Sequence, residues 1–387
     1  MGGKGVGGGQ GTTGPSRAAQ NALLISVLLF STALGVTAVA FPLRAWEVGY
    51  GPAAVGYLGG VTAAHQVVTR LCLPWLLRRV PDRWLILAAG ALLAGSGAVL
   101  LMSTTLVSFV VAAALLGLAR ALFWTASQVH VLHGELAAGQ RTLSYLQFLS
   151  SLGELIGPAV GGVLIQHSSQ AALWFWVGCA AASIVPAALL PRFAPLARTD
   201  RRQTTPIWRR RDVVFGCAAA ASTGGWRALL SSLVPVVLAE LGQPAGQIGI
   251  LVAVANGASV VGALLAGRVP QRWWPVAAVT AMAAAGIGIG AVGLCAGSVL
   301  LAGTVLALSG FGGGVLQTLG PVLAAGAVAP EQRGDAVVLI GLARSVALLA
   351  LPTGVGALVG VLATPLALAV GGAVLMVPVV AYGRWRR

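Results

Sequence analysis

The stretch S-S-L-G-E-L-I-G-P-A-V-G-G, residues 150–162, decides the fold. It lies inside a long apolar run with no loop signal, so it reads as the middle of a membrane-spanning helix. Its four glycines and Pro158 would weaken an ordinary helix. In lipid such residues are tolerated where neighbouring helices cover the freed backbone. Gly153, Gly157 and Gly161 recur every four residues and make one smooth face for close helix packing. Glu154 sits on or beside that face. A carboxylate at mid-membrane costs at least ~2.5 kcal/mol, so Glu154 is expected to be functional or paired. The plainer reading is a packing ridge that carries one satisfied acid.

Composition agrees with a membrane span. Of 387 residues, 57% are hydrophobic and 9% charged, too little charge to clothe a soluble protein of this size. The net charge of +15 comes from 24 basic and 9 acidic residues. In a soluble chain that would suggest nucleic acid. Here the basic residues cluster in short segments between apolar runs, where they set orientation, and no nucleic-acid partner is expected. Cys72, Cys179, Cys217 and Cys295 fall within apolar runs without metal-ligand spacing and read as small buried hydrophobes. Residues 1–20 are glycine-rich and expected to be a disordered tail. The G-x-G-x-x-G match at Gly3, Gly5 and Gly8 has no strand before it. Ala38-Val39-Ala40 resembles a leader cleavage site, but the run is long enough to span and its counterpart recurs later in the chain. No nucleophile–base set, metal spacing or phosphate loop survives inspection, so neither an enzyme nor a cofactor is expected.

Twelve apolar runs follow in series: 21–43, 53–77, 84–104, 106–129, 142–166, 171–191, 213–238, 245–267, 273–294, 298–325, 336–361 and 364–383. Arginines mark alternate loops, at 78–83, 141, 192–211, 268–272, 333 and the C-terminus, while the other loops carry almost none. The positive-inside rule therefore places both termini in the cytoplasm of a multi-pass plasma or inner-membrane protein. The halves repeat. Arg79-Val80-Pro81-Asp82-Arg83-Trp84 follows run two, and Arg268-Val269-Pro270-Gln271-Arg272-Trp273 follows run eight. Pro42 with Glu47 matches Pro235 with Glu240, Val55-Gly56 matches Ile248-Gly249, and Gln140-Arg141 matches Gln332-Arg333. The expected fold is an all-α membrane protein of twelve transmembrane helices in two pseudo-symmetric six-helix bundles, 21–191 and 213–387, joined by a basic linker at 192–212.

With these features the chain resembles the major facilitator superfamily, over essentially everything after residue 20. The segment G-E-L-I-G-P-A-V-G-G, 153–162, is similar to the helix-five motif G-x-x-x-G-P-x-x-G-G of the drug:proton antiporter branch; Ser144 stands where that motif has an upstream glycine. The resemblance implies export and a gating motif of Gly153, Gly157, Pro158, Gly161 and Gly162, packed on helix eight around Gly257 and Gly262. Arg120 stands where the family often carries an intramembrane arginine linked to proton coupling. The family's glycine- and aspartate-containing loop between helices two and three is degenerate here. Pro74 and Arg78 replace the key residues, and Arg79, Asp82 and Arg83 keep only the charge character.

Arg120, Glu154 and Arg227 each fall near the middle of their runs, and midplane sites between repeats are where transporters bind substrate. Arg120, Trp124 and Ser127 share one helical face, as do Thr223, Arg227 and Ser231 with Trp226 beside them, and Gln147, Ser150 or Ser151, and Glu154. Ser309, Gly313 and Gln317 form a weaker stripe on run ten. The resemblance places helices one, four, seven and ten around the cavity, with Arg120 and Arg227 on opposite walls. Substrate-binding candidates are Arg120, Trp124, Trp226, Arg227 and Gln317; guanidinium with indole suits a planar organic anion. Alternatively, one arginine simply neutralises Glu154. Elimination among the nine acidic residues leaves Glu154 as proton carrier, with Arg120 as its conformation-dependent partner. His65 is either a hydrogen-bonded core histidine or a relay. The expected function is proton-coupled efflux of a small molecule by a monomer in the lipid bilayer. Uptake or exchange of an organic anion is the alternative, and a receptor or scaffold a further one.

Overall fold

The structure is a computed structural model that describes residues 17–132, 136–193, 208, 210–329 and 332–385. Twelve long helices carry the chain: α1 Arg17–Glu47, α2 Pro52–Leu76, α3 Asp82–Met102, α4 Leu106–Leu132, α5 Leu136–His167, α6 Ser169–Ala187, α7 Arg211–Glu240, α8 Ala245–Ala266, α9 Trp274–Cys295, α10 Val299–Gly326, α11 Arg333–Leu358 and α12 Thr364–Trp385. Each expected span coincides with one of them. α1 begins at Arg17, inside the stretch expected to be a tail. The rest of that tail, and residues 194–207 of the expected linker, lie outside the described residues.

By length and apolarity, ten spans among the described residues qualify to cross a membrane without reference to packing. α2 is not among them. It carries His65, Gln66 and Arg70 in its second half, and Gln66 and Arg70 face an interior cavity rather than lipid. Membrane-spanning helices carry such residues almost only where they line a cavity or pair.

Two bundles result, α1–α6 and α7–α12. Within the first, α1 packs on α5 and α6, α4 on α2 and α3, and α3 on α6. Within the second, α7 packs on α11 and α12, α10 on α8 and α9, and α9 on α12. Adding six to each helix number of the first list generates the second. Each half has its own apolar core. The two glycines with positive φ among the described residues, Gly49 at +97° and Gly242 at +83°, obey the same repeat. Each follows a glutamate, Glu47 or Glu240, by two residues and ends α1 or α7 in the left-handed conformation that only glycine adopts cheaply.

The halves meet along α5–α8, α2–α11 and α1–α7. At the end away from the basic loops the cores interpenetrate: Val39 and Leu43 of α1 belong to the second core, and Val236 of α7 to the first. Two close crossings flank them. A Cβ on Gly162 of α5 would lie 2.7 Å from the Cα of Gly249 in α8, and one on Gly56 of α2 would lie 2.8 Å from the Cα of Gly356 in α11. Backbones this close leave no room for any side chain, so the halves are sealed at this end.

Candidate functional site

Below that seal the halves part around a cavity of about 710 Å³, bordered by Arg70 of α2 and Arg78 just after it, Arg120 and Trp124 of α4, Glu154 of α5 and Arg227 of α7. α10 adds Gln317, and α11 adds Arg344 and Ser345. Arg78 lies beyond the C-terminal end of α2, so the cavity opens toward the basic loops. A smaller void of about 70 Å³ lies toward the sealed end; it reaches Phe41 and Val55 and shares Gln66, Arg120, Glu154, Arg227 and Leu348 with the larger one.

The floor between the two voids is an ion pair. Arg227 donates to Glu154 across 2.8 Å, and the two side chains are 14% and 16% exposed. It joins α5 of one half to α7 of the other. The expected partner of Glu154 was Arg120. In this conformation the partner is Arg227, while Arg120 borders both voids from α4 without an ion pair among the described residues. The backbone of Glu154 is tied as well: Asn256 of α8 donates to its carbonyl across 3.0 Å. Asn256 is buried and cross-half, and it was absent from the sequence candidates because a lone asparagine in an apolar run carries no spacing signal.

Trp226 does not line the cavity. It is fully buried in the second half, where its Nε1 donates to Ser309 Oγ at 2.6 Å and its ring closes over Gly313. The expected stripe of Ser309, Gly313 and Gln317 is therefore split. Two of its members hold the indole, and only Gln317 reaches the cavity. Residues 226 and 227 point about 100° apart on a helix, which suffices to send one to the core and the other to the site. Trp124 does border the cavity, beside Gln128, Gln147 and Ser150.

The glycine ridge packs differently from expectation. Gly153 and Gly157 lie against Ser31, Thr32 and Gly35 of α1, and Gly161 against Val36. This contact is within one half. The crossing with α8 is made instead by Pro158 and Gly162, against Gly249. Gly257 of α8 meets Leu155, and Gly262 packs on Phe311 of α10. The i, i+4 spacing located a packing face but not its partner, since α1 and α8 lie on adjacent sides of α5.

His65 hydrogen-bonds through Nδ1 to the Val61 carbonyl of its own helix at 2.9 Å and borders neither void. At the basic end, Asp82 is buried. It accepts a hydrogen bond from His130 Nδ1 across 2.8 Å, tying α3 to the last turn of α4. Arg83 donates to the carbonyls of Leu190 and Ala188 past the end of α6. The Arg79 guanidinium stacks 4.4 Å from the Trp75 ring. These contacts of Asp82 and Arg83 stay inside the first half.

A family model for the Major Facilitator Superfamily matches residues 23–347. No curated protein matches the sequence. Among solved structures, a mutant of the nucleoside transporter NupG superposes with a TM-score of 0.79 at 12% identity, covering 95% of this chain and 99% of that one. A bacterial homologue of the human lysosomal transporter Spinster, in an inward-facing and unoccupied conformation, superposes with a TM-score of 0.70 at 14% identity, covering 94% and 93%. At these identities the likeness is one of fold.

Proposed function

Since the chain belongs to the major facilitator superfamily, we propose that it is a secondary transporter for a small organic anion, coupled to protons at Glu154. One observation carries the reading: among the described residues, the central cavity is bordered by five arginines and one carboxylate, which is already paired. Its volume of about 710 Å³ lies within the range of ligand pockets, roughly 300–1,000 Å³. An excess of positive charge in a low-dielectric cleft draws in anions and repels cations. Trp124 offers an apolar face beside the charge.

Coupling follows from competition for one guanidinium. An anion that binds Arg227 displaces Glu154 from it. A carboxylate stranded without its cation in a poorly solvated site takes up a proton. Substrate and proton are then bound together, and an inward proton gradient drives uptake. Both void boundaries meet at this pair, so a swing of the halves would expose it to one side and then the other. Efflux of an amphipathic drug, the reading implied by the helix-five motif, has less support, because the lining charge is basic.

Reconstituted protein should accumulate a small organic anion when the outside is made acidic, and Arg227→Ala should abolish this. Arg227→Lys should restore only part, since an ammonium cannot make the bidentate contact. If a flux screen moves neutral or cationic amphiphiles and no anion, the reading is wrong.

A further inference from the structure

We infer that the substrate carries two separated negative charges, one held at the tier of Arg120 and Arg227 and the other at a second tier formed by Arg70 and Arg344. This rests on the anion reading above and narrows it to a dianion.

The two tiers follow from the helix register. Gln66 of α2 and Leu348 of α11 border both voids, so they lie at the level of the Glu154–Arg227 pair. Arg70 follows Gln66 by four residues, and Arg344 precedes Leu348 by four. α2 and α11 run in opposite directions, so both steps lead toward the cavity mouth. One helical turn amounts to ~6 Å at 1.5 Å per residue. Both arginines border the larger cavity only. Each tier thus takes one guanidinium from each half: Arg120 with Arg227 above, Arg70 with Arg344 below.

Among the described residues the lower tier has no counter-charge. Arg70 Nη1 donates to Ser345 Oγ at 2.9 Å across the two halves. Among the described residues neither Arg70 nor Arg344 has an ion pair, and the buried Nε of Arg344 has no hydrogen-bond partner. An arginine that merely snorkels brings its head to water. Arg344 is half-buried at the cavity wall, and its Nε is sealed and unpartnered. A monoanion held at Arg120 and Arg227 would leave this lower pair uncompensated, and burying unpaired charge is costly. A second anionic group one turn lower would satisfy it, with the organic body between the two groups beside Trp124. The fitting class is an elongated dicarboxylate, or a carboxylate–phosphate, with its charges ~6 Å apart as the tier spacing sets.

The test uses the full chain in detergent and follows thermal unfolding with α,ω-dicarboxylates from succinate to suberate. Each dianion is compared with its monomethyl and dimethyl esters. At the best-fitting length the dianion should stabilise at concentrations roughly tenfold lower than its monoester, the worth of one further charge-assisted contact. Arg344→Ala should remove most of the dianion's advantage over the monoester, with a smaller loss for the monoester itself, and circular dichroism with cooperative unfolding should show that the variant is folded. Arg344→Lys should keep part of the difference, and Arg70→Gln should reduce it as well. Equal potency of dianion and monoester at every length, or an equal loss of both in Arg344→Ala, overturns the dianion and leaves the anion reading standing. Stabilisation by the dimethyl ester equal to that by the dianion, or by no member of the series, defeats both.

Discussion

Glu154 and Arg227 belong to different halves and are each other's only ion partner among the described residues. Removing one member of a partly buried pair strands the other, at a cost on the order of 3–5 kcal/mol. Arg227→Ala should therefore lower the melting temperature as well as the affinity for an anion. Glu154→Gln keeps a hydrogen-bond acceptor and should be milder in stability while releasing Arg227 to the substrate; anion binding, read by thermal shift, should tighten. Trp226 makes the opposite case. Trp226→Ala opens a void in the second core and should cost roughly 3–5 kcal/mol in stability. Substrate affinity measured on the folded fraction should stay close to wild type, whereas a loss of affinity without a loss of stability would return Trp226 to the cavity wall. The sequence showed which residues were chemically costly in a membrane, and so found Glu154, Arg120 and Arg227. It could not show which of two adjacent residues, 226 or 227, faced inward, because that depends on helix rotation against partners far away in the chain.

α5 displays two packing faces with different duties. Gly153 and Gly157 seat it on α1 within one half. Gly162, with Pro158, seats it on Gly249 of the other half. α11 repeats the second arrangement: Pro352 and Gly356 stand four residues apart, as Pro158 and Gly162 do, and pack on Gly56 of α2. Substitution should separate the two duties. Gly157→Leu should break the first half, giving aggregated protein on size-exclusion chromatography. Gly162→Leu should leave both halves folded and monodisperse but hold the sealed end apart, so that flux is lost while thermal unfolding stays cooperative. Transport at the normal rate by Gly162→Leu would show that the close crossing is not needed. The Pro-x-x-x-Gly recurrence in α11 could have been found in the sequence, since α2 and α8 already revealed its partners as Val55-Gly56 and Ile248-Gly249. The partner of the glycine ridge could not, since spacing fixes a face and not what lies opposite it.

At the scale of the whole molecule, twelve spans and their two-fold repeat were legible because each rests on local composition: apolar length, arginine-marked turns and a recurring R-V-P-x-R-W segment. The way the halves seal at one end and part at the other was not, because it depends on contacts between helices whose sequences are unrelated. In this conformation the cavity opens toward the basic end, and the Glu154–Arg227 pair closes its floor. Alternating access needs the crossings at Gly162–Gly249 and Gly56–Gly356 to open while the basic end closes. That closure brings Arg70 and Arg344 nearer their counterparts in the other half, and like charges oppose it unless an anion lies between them. The empty carrier should then cycle slowly and the loaded one fast. The central claim, that Glu154 couples anion movement to protons, is tested most directly in proteoliposomes loaded with a pH-sensitive dye. An anion that the protein transports is added outside, without an imposed gradient, and the internal pH is followed. Wild-type protein should acidify the lumen as the anion enters, and Glu154→Gln should carry the anion with no change in internal pH. Acidification by Glu154→Gln equal to that of the wild type would contradict the account.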